Sequence, residues 1–209
     1  MNGPERGIVA TKSPWDGNEG ILCGTMTAAI FLDRDDTLIS NDGDLGDPAK
    51  VVLLEGVATG LETLRSMGFK LVVVTNQGGV ARGRYGEEDV KMVHERLQEL
   101  VGEGSPLHFY YCPFHPEGTV PEYSREHPWR KPAPGMFYEA ACELDLDLSK
   151  CWVIGDQHRD MQAGRSAGCR TILFSRPGTW DNEGKKEPEH TVESFAQAVE
   201  VIRLAVSEA

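Results

Sequence analysis

The stretch 29-AIFLDRDDTLIS-40 changes from apolar to acidic within a few residues. Its first four residues, 29–32, are typical of a strand that is buried on both faces. Asp33, Asp35 and Asp36 follow at once, although like charges placed so close together repel one another. A bound cation would offset this repulsion. The stretch therefore predicts a buried strand with a metal site at its carboxyl end.

Similar apolar segments recur along the chain and alternate with amphipathic helical patterns. Strands are predicted at 28–32, 70–74, 108–111, 151–154 and 170–174, and helices at 56–67, 87–101, 134–144, 158–167 and 191–206. This alternation predicts an α/β fold of the Rossmann-like, doubly wound type, with a parallel sheet and right-handed crossovers. Residues 1–26 are rich in Gly, Pro and charge, and we expect a flexible extension there, followed by one domain at 27–209.

The composition restricts the partners and the compartment. The 209 residues carry a formal net charge of −12, which argues against a nucleic acid or an anionic membrane as partner. A small anionic substrate is compatible with this charge, because a metal or a few local cations can reverse the field in one pocket. Five scattered cysteines without a CxxC pair, and the lack of an apolar leader or membrane-spanning run, favour a cytoplasmic protein with reduced thiols.

Polar residues follow three of the predicted strands. Asp33 and Asp35 follow the first strand, the sequence TNQ at 75–77 ends the second, and Asp156 follows the fourth. In an open parallel sheet, ligands bind beyond these carboxyl ends. If the first and fourth strands are neighbours, Asp33 and Asp156 can share one Mg²⁺, which prefers oxygen ligands.

The same residues indicate phosphoryl transfer. Asp33 and Asp35 are two apart in an extended segment, so one can be a nucleophile and the other a general acid. A transferring phosphoryl group needs hydrogen-bond donors and positive charge on its oxygens. The 75–77 segment offers donors and Lys131 offers the charge, while Arg130 offers a bidentate fork to the rest of the substrate.

Five sequence motifs, in order along 28–174, carry a family resemblance: FLDRD, VVVTNQGGVARG, CPFHPEG, RKPAPGMF and GDQHRDMQAG. They resemble the haloacid dehalogenase superfamily of aspartate-based phosphatases, and within it the group of heptose bisphosphate phosphatases and histidinol-phosphatases. The resemblance implies a Mg²⁺-dependent phosphomonoesterase that forms an aspartyl-phosphate and has the haloacid dehalogenase fold without a cap domain. Its partner would be a small phosphorylated metabolite, and we expect a monomer.

The resemblance also implies a role for individual residues. Asp33 would be the nucleophile, and Asp35 the general acid and then the base. Thr75 and Lys131 would stabilise the phosphoryl group. Mg²⁺ would be held by Asp33, by the backbone carbonyl of Asp35 and by Asp156. Contacts with the substrate are predicted for Asn41, Asp42, Gly43, Asp44, Asn76, Gln77, Gly78 and Arg130.

The resemblance leaves several substrates open. Heptose 1,7-bisphosphate, which would lose its 7-phosphate on the route to lipopolysaccharide or S-layer sugars, comes first. Histidinol phosphate is the runner-up, and a broader range of sugar phosphates the third choice. The alternative that is not an enzyme is a phosphate-binding module without catalytic activity. Such a module would not need both Asp33 and Asp35, so their presence favours an enzyme.

The longest predicted loop departs from the family pattern. The heptose phosphatases of this group usually hold a structural zinc there, whereas the candidate ligands in this chain are Cys112, His115 and His127. These are one short of the four ligands of a tetrahedral site. We therefore expect the loop to pack around Phe114 and Trp129 and not to bind zinc.

Two further positions differ from the group, and two others need interpretation. Asp36 stands where Gly is usual, and its charge would oppose phosphate binding unless it bonds locally. Gln157 stands where Lys is frequent, which can change the substrate preference. Asp160 is either a residue near the metal or an acid in the first turn of a helix. His94 is expected at the surface.

Overall fold

The computed structural model describes residues 27–41, 43–175 and 188–207. Within these ranges the strands are β1 (Ala29–Leu32), β2 (Lys70–Asn76), β3 (Leu107–Cys112), β4 (Trp152–Gly155), β5 (Arg170–Phe174) and β6 (His190–Val192). They form one parallel sheet in the order β3-β2-β1-β4-β5-β6. The α-helices of the same ranges are α1 (Val57–Ser66), α2 (Glu87–Val101), α3 (Gly135–Leu144), α4 (His158–Ala167) and α5 (Phe195–Ser207). The predicted doubly wound α/β fold is confirmed.

Each face of the sheet carries its own apolar layer, because successive side chains of a strand point to opposite faces. Ile30 and Leu32 pack into the layer formed by α1, α2 and α5. Ala29 and Phe31 pack into the layer formed by α3 and α4. The rings of Phe31 and Phe137 lie 4.7 Å apart between centroids. Both faces of β1 are therefore covered, as its uninterrupted apolar run predicts.

The C-terminal part of the chain differs from the prediction. The helix predicted over 191–206 begins only at Phe195, because His190–Val192 form β6 beside β5. A three-residue edge strand is stabilised by its tertiary partner and carries almost no local signal. The side chain of His94, expected at the surface, is buried, and its ring stacks on Phe109 at 4.4 Å between centroids.

Short connections leave the carboxyl edge of the sheet open. In the described residues, the connections from β1 to α1 and from β2 to α2 consist of loops and one short 3-10 helix, without an inserted cap domain. None of the described helices combines the length and the hydrophobicity that a bilayer span requires. Asp42 and the predicted extension at 1–26 lie outside the described residues.

The strand order brings the predicted polar residues to one place. β1 lies between β2 and β4, and Leu32 is paired with Ile154. The backbone N–H of Asp33 donates to the carbonyl of Ile154 at 2.9 Å. The first and fourth strands are therefore neighbours, which is the condition for a metal shared by Asp33 and Asp156, and the carboxyl ends of β2, β1 and β4 lie side by side.

Candidate active site

Three buried charged side chains meet at these strand ends. The Nζ atom of Lys131 lies 2.9 Å from Oδ1 of Asp33 and 2.6 Å from Oδ1 of Asp160. It also donates to the backbone carbonyl of Val74, in β2, at 2.7 Å. Residue exposure is 2% for Lys131, 4% for Asp33 and 1% for Asp160. We call Asp33, Lys131 and Asp160 the buried cluster. One cation in it connects β2, the end of β1 and α4.

The electrostatics of the buried cluster favour the charged lysine. Burial alone would lower the pKa of Lys131, but the carboxylates of Asp160 and Asp33 outweigh burial and raise the pKa above its ordinary value. Burial also raises the pKa of Asp160, with the Asp33 carboxylate adding to the shift and Lys131 opposing it. Each member of the cluster therefore depends on the opposite charge beside it.

Asp156 completes a group of carboxylates that fits a hard cation. Asp33, Asp156 and Asp160 each offer one oxygen, and these oxygens lie within 4.8 Å of one another. Oδ1 of Asp156 is buried without a hydrogen-bond partner, while Oδ2 accepts from Nε2 of Gln157 at 2.7 Å. Burial, followed by the Asp33 and Asp160 carboxylates, raises the pKa of Asp156 to about 7. An unpartnered carboxylate oxygen that faces further carboxylates is a donor set suited to Mg²⁺.

Asp160 joins the start of α4 to the buried cluster. Its Oδ2 accepts from the backbone N–H of Gln157 at 3.0 Å, so it caps the helix. Its Oδ1 faces Lys131. A Cβ atom added to Gly155 would lie 2.6 Å from Cβ of Asp160, so only glycine lets the helix approach the end of β4 this closely. Both interpretations of Asp160 describe part of its environment.

Asp35 adjoins the buried cluster but has other partners. Arg34, which is fully buried, binds both oxygens of the Asp35 carboxylate at 3.0 to 3.1 Å. Nε2 of Gln77 donates to Oδ2 of Asp35 at 2.9 Å. Burial raises the pKa of Asp35, and the Asp33 carboxylate adds to the shift, whereas Arg34 and Gln77 oppose it. A carboxyl group in this setting is suited to take up and release a proton.

The end of β2 holds the catalytic candidates in place. The buried Thr75 hydroxyl accepts from Nε2 of Gln77 at 2.8 Å, which leaves its own proton for another acceptor. The side-chain amide of Asn76 binds both backbone groups of Lys131, its Nδ2 donating at 2.9 Å and its Oδ1 accepting at 3.0 Å. Asn76 and Gln77 thus have a positioning role that the sequence did not indicate. Their contact with the substrate stays a prediction.

An open cleft of about 320 Å³ lies beside Asp35 and Asp156. Six predicted substrate contacts line it: Asn41, Gly43, Asp44, Asn76, Gly78 and Arg130. Three other lining residues, Arg82, Tyr85 and Arg159, had no predicted place in the site. The cleft is also lined by Asp36 and Gln157, the two departures from the family group, and by the zinc candidate His115. Arg82 belongs to the GGVARG stretch and Arg159 to the first turn of α4, and neither position carries a signal that would bring it to this cleft.

Arginines form one wall of the cleft. Burial lowers the pKa of Arg130, and the neighbouring Arg159 and Arg82 cations add to this shift. Arg82 binds the Asp44 carboxylate, with Nη2–Oδ1 at 2.6 Å and Nε–Oδ2 at 3.1 Å. Arg84 binds the same carboxylate at 3.0 Å. We call Arg82, Arg130 and Arg159 the arginine wall. Although the chain has a net charge of −12, this part of the cleft carries cations that can attract an anion.

Asp36 adopts the backbone conformation that explains why glycine is usual there. Its φ angle is 56°, in the left-handed region that favours glycine and tolerates Asp. Its Oδ1 accepts from the backbone N–H of Asn41 at 3.2 Å. The extra carboxylate is therefore bonded locally, within the loop that follows β1.

The three zinc candidates have different surroundings. Among the described residues, the His, Cys, Asp and Glu side chains gathered closely enough for a metal are those of the carboxylate group described above. The ring of His127 stacks on Phe114 at 4.4 Å and lies edge-on to Trp129 at 6.1 Å. Cys112 is buried beneath this loop, and His115 lines the cleft. The loop shows the aromatic packing that we expected.

Comparisons with known proteins agree with the geometry of the site. The family model described as "HAD-hyrolase-like" matches residues 128–198. A D-glycero-beta-D-manno-heptose-1,7-bisphosphate 7-phosphatase of Pasteurella multocida is 36% identical over 181 residues, which are 85% of this chain and 98% of that protein. The D-glycero-alpha-D-manno-heptose-1,7-bisphosphate 7-phosphatase of Burkholderia mallei is 38% identical over 148 residues, 70% of this chain and 78% of that one.

A solved structure is similar over almost the whole fold. It is the D,D-heptose 1,7-bisphosphate phosphatase of B. bronchiseptica, complexed with magnesium and phosphate. The TM-score is 0.74 at 27% sequence identity, and the match covers 87% of this chain and 99% of that chain. With its α/β fold, its carboxylates at the strand ends and these relatives, the chain belongs to the haloacid dehalogenase-like family of phosphatases.

Proposed function

We propose that this phosphatase depends on Mg²⁺ and removes the 7-phosphate of D-glycero-D-manno-heptose 1,7-bisphosphate through an aspartyl-phosphate on Asp33. The observation that carries the proposal is the buried cluster beside Asp156, at a cleft that arginines line. The names of the relatives and the charge of the wall support this choice of substrate.

The contacts of Asp33 support its role as the nucleophile. Its Oδ1 accepts from Lys131 at 2.9 Å and from the backbone N–H of Arg34 at 2.8 Å. Both bonds fall on Oδ1, so we assign the attack on phosphorus to Oδ2. The attack forms the bond between Asp33 and phosphorus and breaks the bond between phosphorus and the sugar oxygen. Asp35 gives its proton to that leaving oxygen.

The second half of the reaction uses the same groups. Asp35, now ionised, takes a proton from water, and the water oxygen attacks phosphorus, which frees Asp33 and inorganic phosphate. Lys131 and the Thr75 hydroxyl stabilise negative charge during both halves. Asp33, Asp156 and the backbone carbonyl of Asp35 would hold Mg²⁺, which would neutralise further negative charge on the phosphoryl group.

The arginine wall favours a bisphosphate over histidinol phosphate. The phosphate that does not react would lie against Arg82, Arg130 and Arg159, with which it forms charge-assisted hydrogen bonds. Histidinol phosphate carries an ammonium group in place of a second phosphate and would give these three cations no anion to bind. We further propose that residues 27–209 form one catalytic domain and act as a monomer in the cytoplasm, on the route to lipopolysaccharide or S-layer sugars.

The test is phosphate release in the presence of Mg²⁺. Both anomers of heptose 1,7-bisphosphate are compared with histidinol phosphate and sugar monophosphates, because the relatives include phosphatases named for either anomer. We expect one anomer to have the highest kcat/KM, and NMR to show that the 1-phosphate is retained. Preference for histidinol phosphate would overturn the proposed substrate.

Two variants test the mechanism. Asp33→Asn removes the nucleophile, and we expect activity to fall by about 10³-fold or more. Asp145→Asn is the matched control, because Asp145 is exposed and has a φ angle of 52°, a conformation that Asn adopts readily. An Asp33→Asn variant that keeps its activity, or a wild-type enzyme that a chelator does not affect, would overturn the proposed chemistry.

A further inference from the structure

Three side chains form a network around Asp35 that the reaction described so far does not use. Nη2 of Arg34 donates to both Asp35 oxygens and to Oε1 of Gln77, the last at 2.9 Å. The Tyr85 hydroxyl donates to the same Gln77 oxygen at 2.9 Å. The Gln77 amide nitrogen donates to Asp35 and to Thr75. The network thus connects the side chain of Tyr85, at the cleft, to the carboxylate of Asp35.

The backbone fixes this network from two sides. Nη2 of Arg34 lies 3.3 Å from the carbonyl of Leu45, in the loop after β1. The Tyr85 ring lies against Gly46 of this loop and Gly79 after β2, and a Cβ atom at either glycine would come within 2.6 Å of the ring. Any larger residue there would displace the ring. The tyrosine hydroxyl is therefore held on Gln77.

The burial of the Arg34 guanidinium adds little to the stability of the folded protein. Arg34 is fully buried, and its Nη1 has no hydrogen-bond partner. Taking such a charge out of water costs about as much as its ion pair returns, and apolar residues of similar size often stabilise a core better. A bidentate arginine does, however, fix the plane of a carboxylate. The arrangement is better explained by a need to orient Asp35.

We propose that Arg34, Gln77 and Tyr85 are positioning residues that orient the Asp35 carboxyl group for proton transfer to the leaving oxygen. This inference rests on the proposed function of Asp35 as general acid. Proton transfer requires the acid to lie within hydrogen-bond reach of one oxygen atom, and a small misplacement costs much of its effect.

The contacts with Asp35 reach both of its oxygens. Nε and Nη2 of Arg34 lie 3.1 and 3.0 Å from Oδ1, and Nη2 lies 3.1 Å from Oδ2, where Nε2 of Gln77 also donates at 2.9 Å. Contacts on both oxygens fix the plane of the carboxyl group and the direction in which it faces the cleft.

The leaving group separates a positioning role from a purely structural one. An alkoxide is a poor leaving group and needs the proton from Asp35, whereas a nitrophenolate departs without it. The value of kcat/KM reports the steps up to the departure of the leaving group, so the later attack by water does not enter it. Misplacing Asp35 should therefore slow an alkyl ester much more than an aryl ester. Loss of structure would slow both alike.

The experiment compares benzyl phosphate, an alkyl ester, with 4-nitrophenyl phosphate, an aryl ester of similar size. For Arg34→Met we expect kcat/KM to fall about thirty-fold or more with benzyl phosphate and less than about three-fold with 4-nitrophenyl phosphate, a part of the 10² to 10⁴ that a general acid contributes. The quantity compared among variants is the ratio of the fold loss with benzyl phosphate to the fold loss with 4-nitrophenyl phosphate. Asp35→Ala sets the upper limit of this ratio. Tyr85→Phe, which removes one hydroxyl, should move the ratio in the same direction by about three- to ten-fold.

Tyr138→Phe is the matched control, because Tyr138 is exposed on α3 and its hydroxyl donates to the carbonyl of Ser166, outside the network. It should leave the ratio at the wild-type value. The inference is overturned if Arg34→Met and Tyr85→Phe lose equal activity with the two esters. It is also overturned if the ratio changes in Asp35→Ala but in neither of these two variants. If Arg34→Met does not fold, Tyr85→Phe and Gln77→Met decide it. If the Asp33→Asn variant keeps the activity of the wild type, the proposed function itself is overturned.

Discussion

The buried cluster and the arginine wall contain charge pairs of the same length in opposite settings. The Lys131–Asp160 pair of the cluster and the Arg82–Asp44 pair of the wall both have a closest N–O distance of 2.6 Å. The side chains of the first pair are 0% and 1% exposed, whereas those of the second are 32% and 19% exposed. Distance therefore does not distinguish the two regions, and burial does.

This difference in burial suggests different roles for the buried cluster and the arginine wall. A buried pair cannot lose one member without leaving a charge that neither water nor a neighbour compensates. A partly exposed pair can exchange its partner for water or for an anionic ligand at little cost. The buried cluster is thus suited to chemistry that stays constant. The wall is suited to the part of the substrate that varies.

Replacing Lys131 should have the largest effect on the protein. In Lys131→Met, the carboxylates of Asp33 and Asp160 remain buried without their cation, so we expect the free energy of unfolding to fall by about 3 to 5 kcal/mol. Phosphate release should fall by about 10²-fold or more, because the charge that stabilises the phosphoryl group is lost. Urea denaturation without Mg²⁺, together with an activity assay, measures both effects.

Two further variants show whether burial causes this loss. Lys150→Met removes a lysine that is 65% exposed and paired with Asp147 at 3.2 Å, and it should cost less than about 1 kcal/mol. The double variant Lys131→Met/Asp160→Asn should regain part of the stability, since one of the two unpaired carboxylates is gone. If Lys131→Met is as stable as Lys150→Met, the buried cluster is not held by charge.

Binding of Mg²⁺ should stabilise the protein through the carboxylate group. At a concentration one hundred times its Kd, a ligand that binds only the folded state adds about 2.7 kcal/mol to the free energy of unfolding. We expect this gain in the wild type and in Asp145→Asn. It should be largely absent from Asp156→Asn, which lacks the carboxylate whose Oδ1 is buried without a hydrogen bond at the end of β4. Equal stabilisation of Asp156→Asn would place the ion elsewhere.

Replacing an arginine of the wall should mainly affect a substrate with a second phosphate. For Arg130→Gln we expect kcat/KM with heptose 1,7-bisphosphate to fall about ten-fold or more, mainly through KM, because ground-state binding is lost. The value for 4-nitrophenyl phosphate should fall less than about three-fold. Arg203→Gln, on the exposed side of α5, is the control. Similar losses with both substrates would assign Arg130 to the reacting phosphate.

The carboxylates at the strand ends could be predicted from the sequence because local rules place them. Asp33 and Asp156 follow directly on apolar strands, and parallel strands bring their carboxyl ends to one edge of the sheet. The aspartate of the cluster that stayed ambiguous is Asp160, whose side chain reaches the site across Gly155. A missed signal is also present at His94, which is spaced with Val90 and Leu97 on the buried stripe of α2.

The arginine wall and the Asp35 network could not be predicted in the same way. Arg82 and Arg159 come from different segments, and the paths of the loops bring them together. No periodicity encodes a loop path. Arg34 stands between two aspartates and has the composition of a solvated turn, yet tertiary contacts with Gln77 and Leu45 bury it completely. Local patterns therefore locate the chemistry, and the fold as a whole determines what surrounds it.

The smallest effect should come from Asp44, and it tests the comparison between the two regions most directly. Asp44→Asn releases Arg82 and Arg84 from a carboxylate that is partly exposed, so the free energy of unfolding should change by less than about 1 kcal/mol. Two freed cations beside the cleft should raise kcat/KM for the bisphosphate about two- to five-fold at low ionic strength, and this gain should disappear as salt is added. Asp145→Asn should show neither effect. If Asp44→Asn instead destabilises the protein as Lys131→Met does, the wall is as fixed as the buried cluster. Substrate selection would then depend on a rigid shape and not on exchangeable charge.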